Sequence, residues 1–428
     1  MKKIVSIFLL AIAFLLIDIP AGNSKIKSYY SGDAVYYQDK IIIGSANTGS
    51  LELFKVENGT MIRTVQFKPS DNNGQLLDVS SVKLNEEDGR LYAYLTAQYA
   101  VYKYDISDPA YPSLENKIKN TIWEWYNRVD TAGDKVMPIS AKNVGVLNFG
   151  LQNINNYNLE NINSYNVRPE DSGRYIFNNS GNYVQVYDRY TRTTLASIPV
   201  NYKKGNEENN HKVVGDVFKN EILVVDDYYA KKFDFNGNLK ASFKHLDQPG
   251  YDMELSPNGH FVYFSNGVGV VKLNRSDLKL NAYKFTSVLG GPAGWAMGLK
   301  AVNTKNGENL VVFNNGNILV LDDKLNKIAS YVATIEDNLP DIQESLYLNL
   351  DHNLGAAGAP IVLSGGGFST KEMLTIEFGS APRLETMTDS HGRFIKNLTI
   401  PNLTPGRLDI KVTGQSSRLS YSISFEVK

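Results

Sequence analysis

The chain has 428 residues, with 44 Lys and Arg against 45 Asp and Glu and a formal net charge of −1. Hydrophobic residues make up 42%, which excludes a disordered chain, and balanced charge without a basic stripe excludes a nucleic-acid binder. The absence of cysteine excludes disulfides, cysteine-ligated zinc, iron–sulfur clusters and a thiol nucleophile. The first predicted element is an export signal. Lys2 and Lys3 precede an apolar run over 4–17 broken only by Ser6, and Asp18, Pro20, Ala21, Gly22 and Ser24 close it. That run falls short of the ~20 residues needed to cross a bilayer. A positive start, an apolar stretch and a small-residue exit form a secretory signal peptide, assigned to 1–24; an uncleaved anchor is the alternative. No membrane span is expected beyond it. A large disulfide-free chain behind such a leader is expected outside a bacterial cell, secreted or at the cell surface.

The rest reads as all-β. Short β-branched and aromatic runs are separated by Gly, Asn and Asp turns, and no amphipathic stretch of helical period stands out. One unit recurs, an apolar strand running into a turn acid or amide. It appears at 51–56 before Glu57-Asn58-Gly59, at 101–104 before Asp105, at 183–187 before Asp188 and at 232–235 before Asn236-Gly237. It returns at 270–273 before Asn274 and at 318–321 before Asp322-Asp323, with a weaker copy at 151–155. A further strand precedes each copy. Units spaced on average about 44 residues apart predict a β-propeller of seven blades, the uneven intervals also admitting six or eight. Closure needs a seam, and either 345–351 or 34–37 is expected to complete a sheet from the opposite end of the ring; alternatively, 345–351 opens the next domain.

Two turns carry resemblances. Asp105-Ile106-Ser107-Asp108-Pro109 resembles a turn of bacterial surface propeller repeats. Ser256-Pro257-Asn258-Gly259, ahead of Phe261-Val262-Tyr263, resembles the turn and strand of WD-like and quinoprotein-like propellers. Lack of cysteine and only three tryptophans depart from quinoprotein dehydrogenases, so the likeness implies fold and not that activity. Near the end, Pro360-Ile361-Val362-Leu363-Ser364-Gly365-Gly366-Gly367-Phe368, the strand over 374–379, Asp389-Ser390-His391-Gly392 and Pro405-Gly406 resemble the IPT/TIG family of immunoglobulin-like domains. That resemblance implies an Ig-like β-sandwich acting as a spacer or docking module and carries no catalytic residues. Phe368 is expected to anchor two facing sheets, with Leu374, Ile376 and Phe378 pointing inward. The expected order is a signal peptide (1–24), a propeller (25–353) and an IPT/TIG-like domain (354–428).

Chemistry is sparse. The five histidines lie far apart, and no nucleophile elbow or phosphate loop occurs. Acids recurring at strand ends, among them Asp105, Asp188, Asp226 and Asp322, read as turn formers bonding backbone N–H groups, with a calcium ring as the alternative. No metal and no cofactor is expected. The candidate ligand-binding residues are aromatic: Trp123, Trp125 and Tyr126 between the second and third units, Trp295 in a similar place, and Tyr157 and Tyr165 in an Asn-rich stretch. On an end face they would suit sugar rings or protein hot spots; in a strand they would be packing residues. The expected function is noncatalytic binding or adhesion to a polysaccharide or protein of the cell envelope or extracellular space. The alternative is a carbohydrate-active hydrolase or lyase whose carboxylates converge on the propeller axis.

Overall fold

The computed structural model describes residues 29–428 apart from 30, 48, 72–74, 120–124, 142, 159–166, 171, 180–182, 200–211, 227, 246–249, 290–295, 315, 333–346, 370, 380 and 390–391. The expected signal peptide lies outside the described residues. All the regular structure described is β, and no described helix is long and apolar enough to cross a membrane.

Seven four-stranded antiparallel sheets follow one another over 31–67, 79–119, 126–158, 167–199, 212–244, 252–285 and 296–332. In each, strands pair in sequence order, so each sheet is a meander. Two-residue hairpins such as Asn58-Gly59 and Asp88-Gly89 make the reversals, with both residues at positive φ, the conformation that matches strand twist in a tight β-turn. Each sheet's pairing of third and fourth strands slips by one residue at an equivalent place, just after Leu53, Lys103, Val146, Val186, Lys232, Lys272 and Val320. Such bulges increase local twist, and their recurrence marks the seven sheets as copies of one unit.

The sheets are held face to face by seven separate apolar clusters, one at each seam. Successive residues of a strand feed opposite seams. Ile222 and Val224 pack toward the fourth sheet, Leu223 and Val225 toward the sixth. Burial on both sides explains why the strands read as continuous apolar runs. The seventh cluster joins Val311, Phe313 and Ile318 of the last sheet to Ile41, Ile43 and Phe54 of the first. The ring is therefore closed, and the chain is a β-propeller.

Closure takes a form the sequence did not suggest. The first sheet draws all four strands from 31–67, and 347–350 pairs elsewhere, so neither expected segment completes a sheet across the seam. Tyr29 does the stapling instead. Its backbone N–H donates to Asn314 O of the last sheet at 3.1 Å, and its hydroxyl donates to the buried Glu52 of the first at 3.2 Å. Three other seams gain a staple from a lysine at the bulge position. Lys103 donates to Phe149 O, Lys232 to Arg275 O and Lys272 to Asp323 O, each in the following sheet.

The C-terminal unit is a two-sheet β-sandwich. Tyr347–Leu350, Pro360–Gly366 and Phe394–Thr399 form one sheet. Leu354–Gly355, Ser420–Val427, Gly406–Gly414, Met373–Phe378 and Leu384–Met387 form the other. Leu374, Ile376 and Phe378 face inward, and Phe368 stacks edge-on against Phe394 in the same core. Tyr421 donates its hydroxyl to Leu114 O of the second propeller sheet at 2.8 Å.

Candidate functional site: the propeller axis and its cleft

The innermost strand of each sheet neighbours that of the next, so seven strands surround the axis. Six of them contribute one charge each to a ring of alternating sign: Asp33, Lys83, Asp130, Arg168, Glu254 and Lys300. Lys83 Nζ lies 3.6 Å from Asp33 Oδ2 and 3.1 Å from Asp130 Oδ1. Arg168 Nη1 donates to Glu254 Oε2 at 2.7 Å, and Lys300 Nζ to Glu254 Oε1 at 3.0 Å. Lys300 closes the circle 3.8 Å from Asp33 Oδ1. Asp130 and Arg168 complete it by mutual attraction. Arg128 adds a further cation 3.1 Å from Asp130, and Asp252 accepts from Arg168 Nη2 at 2.5 Å.

Backbone donors fix the acids. Asp33 accepts the N–H of Leu84 from the second sheet, and Asp252 that of Leu299 from the seventh, both at 2.9 Å. Burial alone would raise the Glu254 pKa, but Lys300 and Arg168 outweigh it and push it down to about 2. Asp130 follows the same pattern. Burial opposes its charge, yet Lys83, Arg128 and Arg168 hold its carboxyl well below the usual range. Glu254, above all, drives Lys300 up against burial. These groups are ionised at neutral pH, and each has an opposite charge beside it.

The fifth sheet breaks the ring. Its innermost strand, Lys212–Asp216, brings Val214 and Gly215 alongside Arg168 and Glu254, and a cleft of about 830 Å³ opens there. Glycine is needed at 215 because a Cβ would sit 2.3 Å from Phe177 Cε1. Arg168, Glu254 and Lys300 form the floor. Arg275 makes one wall, donating to Asp216 and Glu221 at 2.8 Å each. At the rim stand Phe218, 85% exposed on the turn after Asp216, and the Ser256–Gly259 turn. That turn, which the sequence marks only for its fold likeness, has Ser256 Oγ donating to Asn258 Oδ1 and accepting from Phe261 N. A cleft with paired charges below and an exposed ring above can hydrogen-bond and stack a polar ligand.

The aromatic candidates scatter. Trp125 is 54% exposed and packs edge-on against Tyr99, on the seam between the second and third sheets. Tyr126, next to it, is buried in that seam. Tyr157 is buried between the third and fourth sheets, its ring 6.4 Å from that of Tyr187. Trp123, Tyr165 and Trp295 lie outside the described residues. None of the described three lines the axial cleft. Asp105, Asp188, Asp226 and Asp322 each accept backbone N–H groups two to four residues on, which is turn chemistry. Among the described residues, no three His, Asp or Glu gather to hold a metal ion. His245 is buried and bonded to Asp226 O, while His352 is exposed beside Asp351.

Comparison with known proteins adds little detail. No family model matches the chain. A protein of Acanthamoeba polyphaga mimivirus named "Putative JmjC domain-containing protein L887" is 25% identical over 186 residues, covering 40% of this chain. The chain spans only 29% of that protein's length. Among solved structures, KlHsv2 with loop 6CD replaced by a Gly-Ser linker matches at a TM-score of 0.44 and 8% identity. That match covers 75% of this chain and 97% of the other. The propeller assignment rests on the chain's own closed circle of seams.

Proposed function

We propose that the chain is a noncatalytic binding protein of the bacterial cell surface or extracellular space. It holds a polysaccharide or protein at the axial cleft, and its sandwich serves as an IPT/TIG-like spacer or docking module. The observation that carries this reading is the state of the acids on the axis. A hydrolase of glycosidic bonds needs one carboxyl kept protonated near neutrality. Glu254 on the cleft floor is instead pushed down to about 2, and Asp130 is held low as well. This counts against the hydrolase alternative. The leader-like segment over 1–24 supports an extracytoplasmic location, and the lack of cysteine behind such a leader favours a bacterial source. The likeness to the mimivirus protein extends over 29% of that protein's length, and among the described residues of this chain no three His, Asp or Glu gather to hold a metal ion.

The test incubates the purified full chain with immobilised bacterial and host polysaccharides and scores retention and released sugar together. Retention without release is expected, with at least a tenfold loss in Phe218→Ala. Sugar released by wild type and not by Glu254→Gln would contradict the reading.

A further inference from the structure

One wall of the axial cleft turns two cations toward the same spot. Asp216, at the end of the fifth sheet's innermost strand, positions both. Its Oδ1 accepts the backbone N–H of Lys219 at 3.1 Å, and its Oδ2 accepts from Arg275 Nη2 at 2.8 Å. Arg275 Nε donates to Glu221 at 2.8 Å, so Nη1 is the uncommitted nitrogen of that guanidinium among the described residues. Lys219 Nζ lies 3.8 Å from the same Asp216 oxygen, with 53% of its side chain in solvent. Gly259 faces the pair. A Cβ on it would lie 3.6 Å from Lys219 Nζ and 3.7 Å from Arg275 Nη1, so the two nitrogens flank the open side of the glycine. Its φ of 73° favours glycine in the Ser256–Gly259 turn, and no side chain fills the gap.

The acids nearby are already shared. Lys232 Nζ stands 3.5 Å from Glu221, so Lys219, Lys232 and Arg275 divide two carboxylates, Asp216 and Glu221, within 4 Å. Glu254 on the cleft floor is taken by Arg168 and Lys300, and Glu170 accepts from Ser172 N on its own turn. Phe218, the residue before Lys219, adds an exposed ring to the same corner.

We propose that the cleft takes an acidic polysaccharide, one sugar ring lying on Phe218 while its carboxylate, sulfate or phosphate group accepts from Lys219 Nζ and Arg275 Nη1 over Gly259. This ligand class rests on the binding role given to the cleft above and adds the sign of the ligand's charge. An acidic sugar carries its charge a few bonds from an apolar CH face, which matches a ring and a cation side by side. An acidic peptide offers the charge without that face.

The experiment measures binding of the full chain to polygalacturonate and its methyl ester, and to dextran sulfate and dextran, at about 0.15 M salt. Each pair shares a backbone and differs in charge. At least one anionic member should bind roughly tenfold tighter than its neutral partner. Carboxylate or sulfate as the preferred group is read from which pair shows the difference. Lys219→Met should erase it and Lys219→Arg keep it, while Lys279→Met, at a more exposed lysine outside the cleft, should change nothing. Equal binding within both pairs would overturn the acidic ligand; neutral binding still lost in Phe218→Ala would leave the cleft's binding role standing. Equal losses in Lys219→Met and Lys279→Met would show a diffuse charge effect and overturn it as well. So would poly-L-glutamate binding as tightly as the anionic sugars.

Discussion

The sandwich and the propeller solve the problem of a protein centre in opposite ways. The sandwich centre is apolar, built from Leu363, Leu374, Ile376, Ile410, Val412 and Phe425. Its one buried acid among the described residues, Glu372, accepts from Ser369 N, Ser416 N and Ser417 Oγ, and these donors lower its pKa despite burial. The propeller puts its apolar surface into seven seams and leaves charges around the axis. Replacing a buried ion network with apolar groups is often neutral or stabilising, so cohesion does not explain the axial ring. The seams hold the propeller together, and the axis is free to serve binding.

The comparison can be broken in graded steps. Arg168→Met strands Asp252 and Glu254 without their shared cation and should cost about 3 kcal/mol in denaturant unfolding. Adding Asp252→Asn and Glu254→Gln should recover most of that, and failure to recover would mean that packing, not charge, was lost. Leu374→Ala in the sandwich should also cost about 3 kcal/mol, but with no such rescue and with the loss confined to the sandwich transition. Acid separates the regions further. Glu254 has a folded pKa below its ordinary 4.5, so the stability it adds is complete above 4.5 and drains as pH falls toward 2. Glu254→Gln should flatten that limb of the propeller's pH–stability curve. Lys212 acts at the other end. Its folded pKa lies below the ordinary 10.5, so the unfolded chain binds more protons above pH 7 and stability rises with pH there. Lys212→Met should abolish the rise. The smallest effect belongs to Phe218→Ala, within about 0.5 kcal/mol of wild type because the ring is in solvent, while binding at the cleft falls.

Much of the fold was legible because local chemistry wrote it. Asn58-Gly59 announces a hairpin, and the recurring apolar runs such as 270–273 and 318–321 are the third strands of their sheets. The third sheet was read one strand out of step. Its third strand is Asn143–Asn148, and the copy assigned to 151–155 falls at its outer strand, Asn153–Asn158. The turn between them places Leu151 at positive φ instead of the usual Asn or Gly, so nothing flagged it. The alternation over 345–351 was itself informative. A strand buried on one face alternates, as in the sandwich, whereas propeller strands are buried on both. The axial site was not legible. Asp33, Lys83, Asp130, Arg168, Glu254 and Lys300 are single charges on separate strands, brought together only by closure of the ring. Their sequence trace is a charge within the first strand of six sheets, and several of those strands carry more than one.

The most direct test neutralises the ring at once, with Asp33→Asn, Lys83→Met, Asp130→Asn, Arg168→Met, Glu254→Gln and Lys300→Met, and measures the propeller's denaturant midpoint. If the seams hold the ring, the variant keeps its β spectrum and unfolds cooperatively at or above the wild-type midpoint. A collapsed midpoint or loss of the cooperative transition would show that the charges hold the ring together, and would contradict the account.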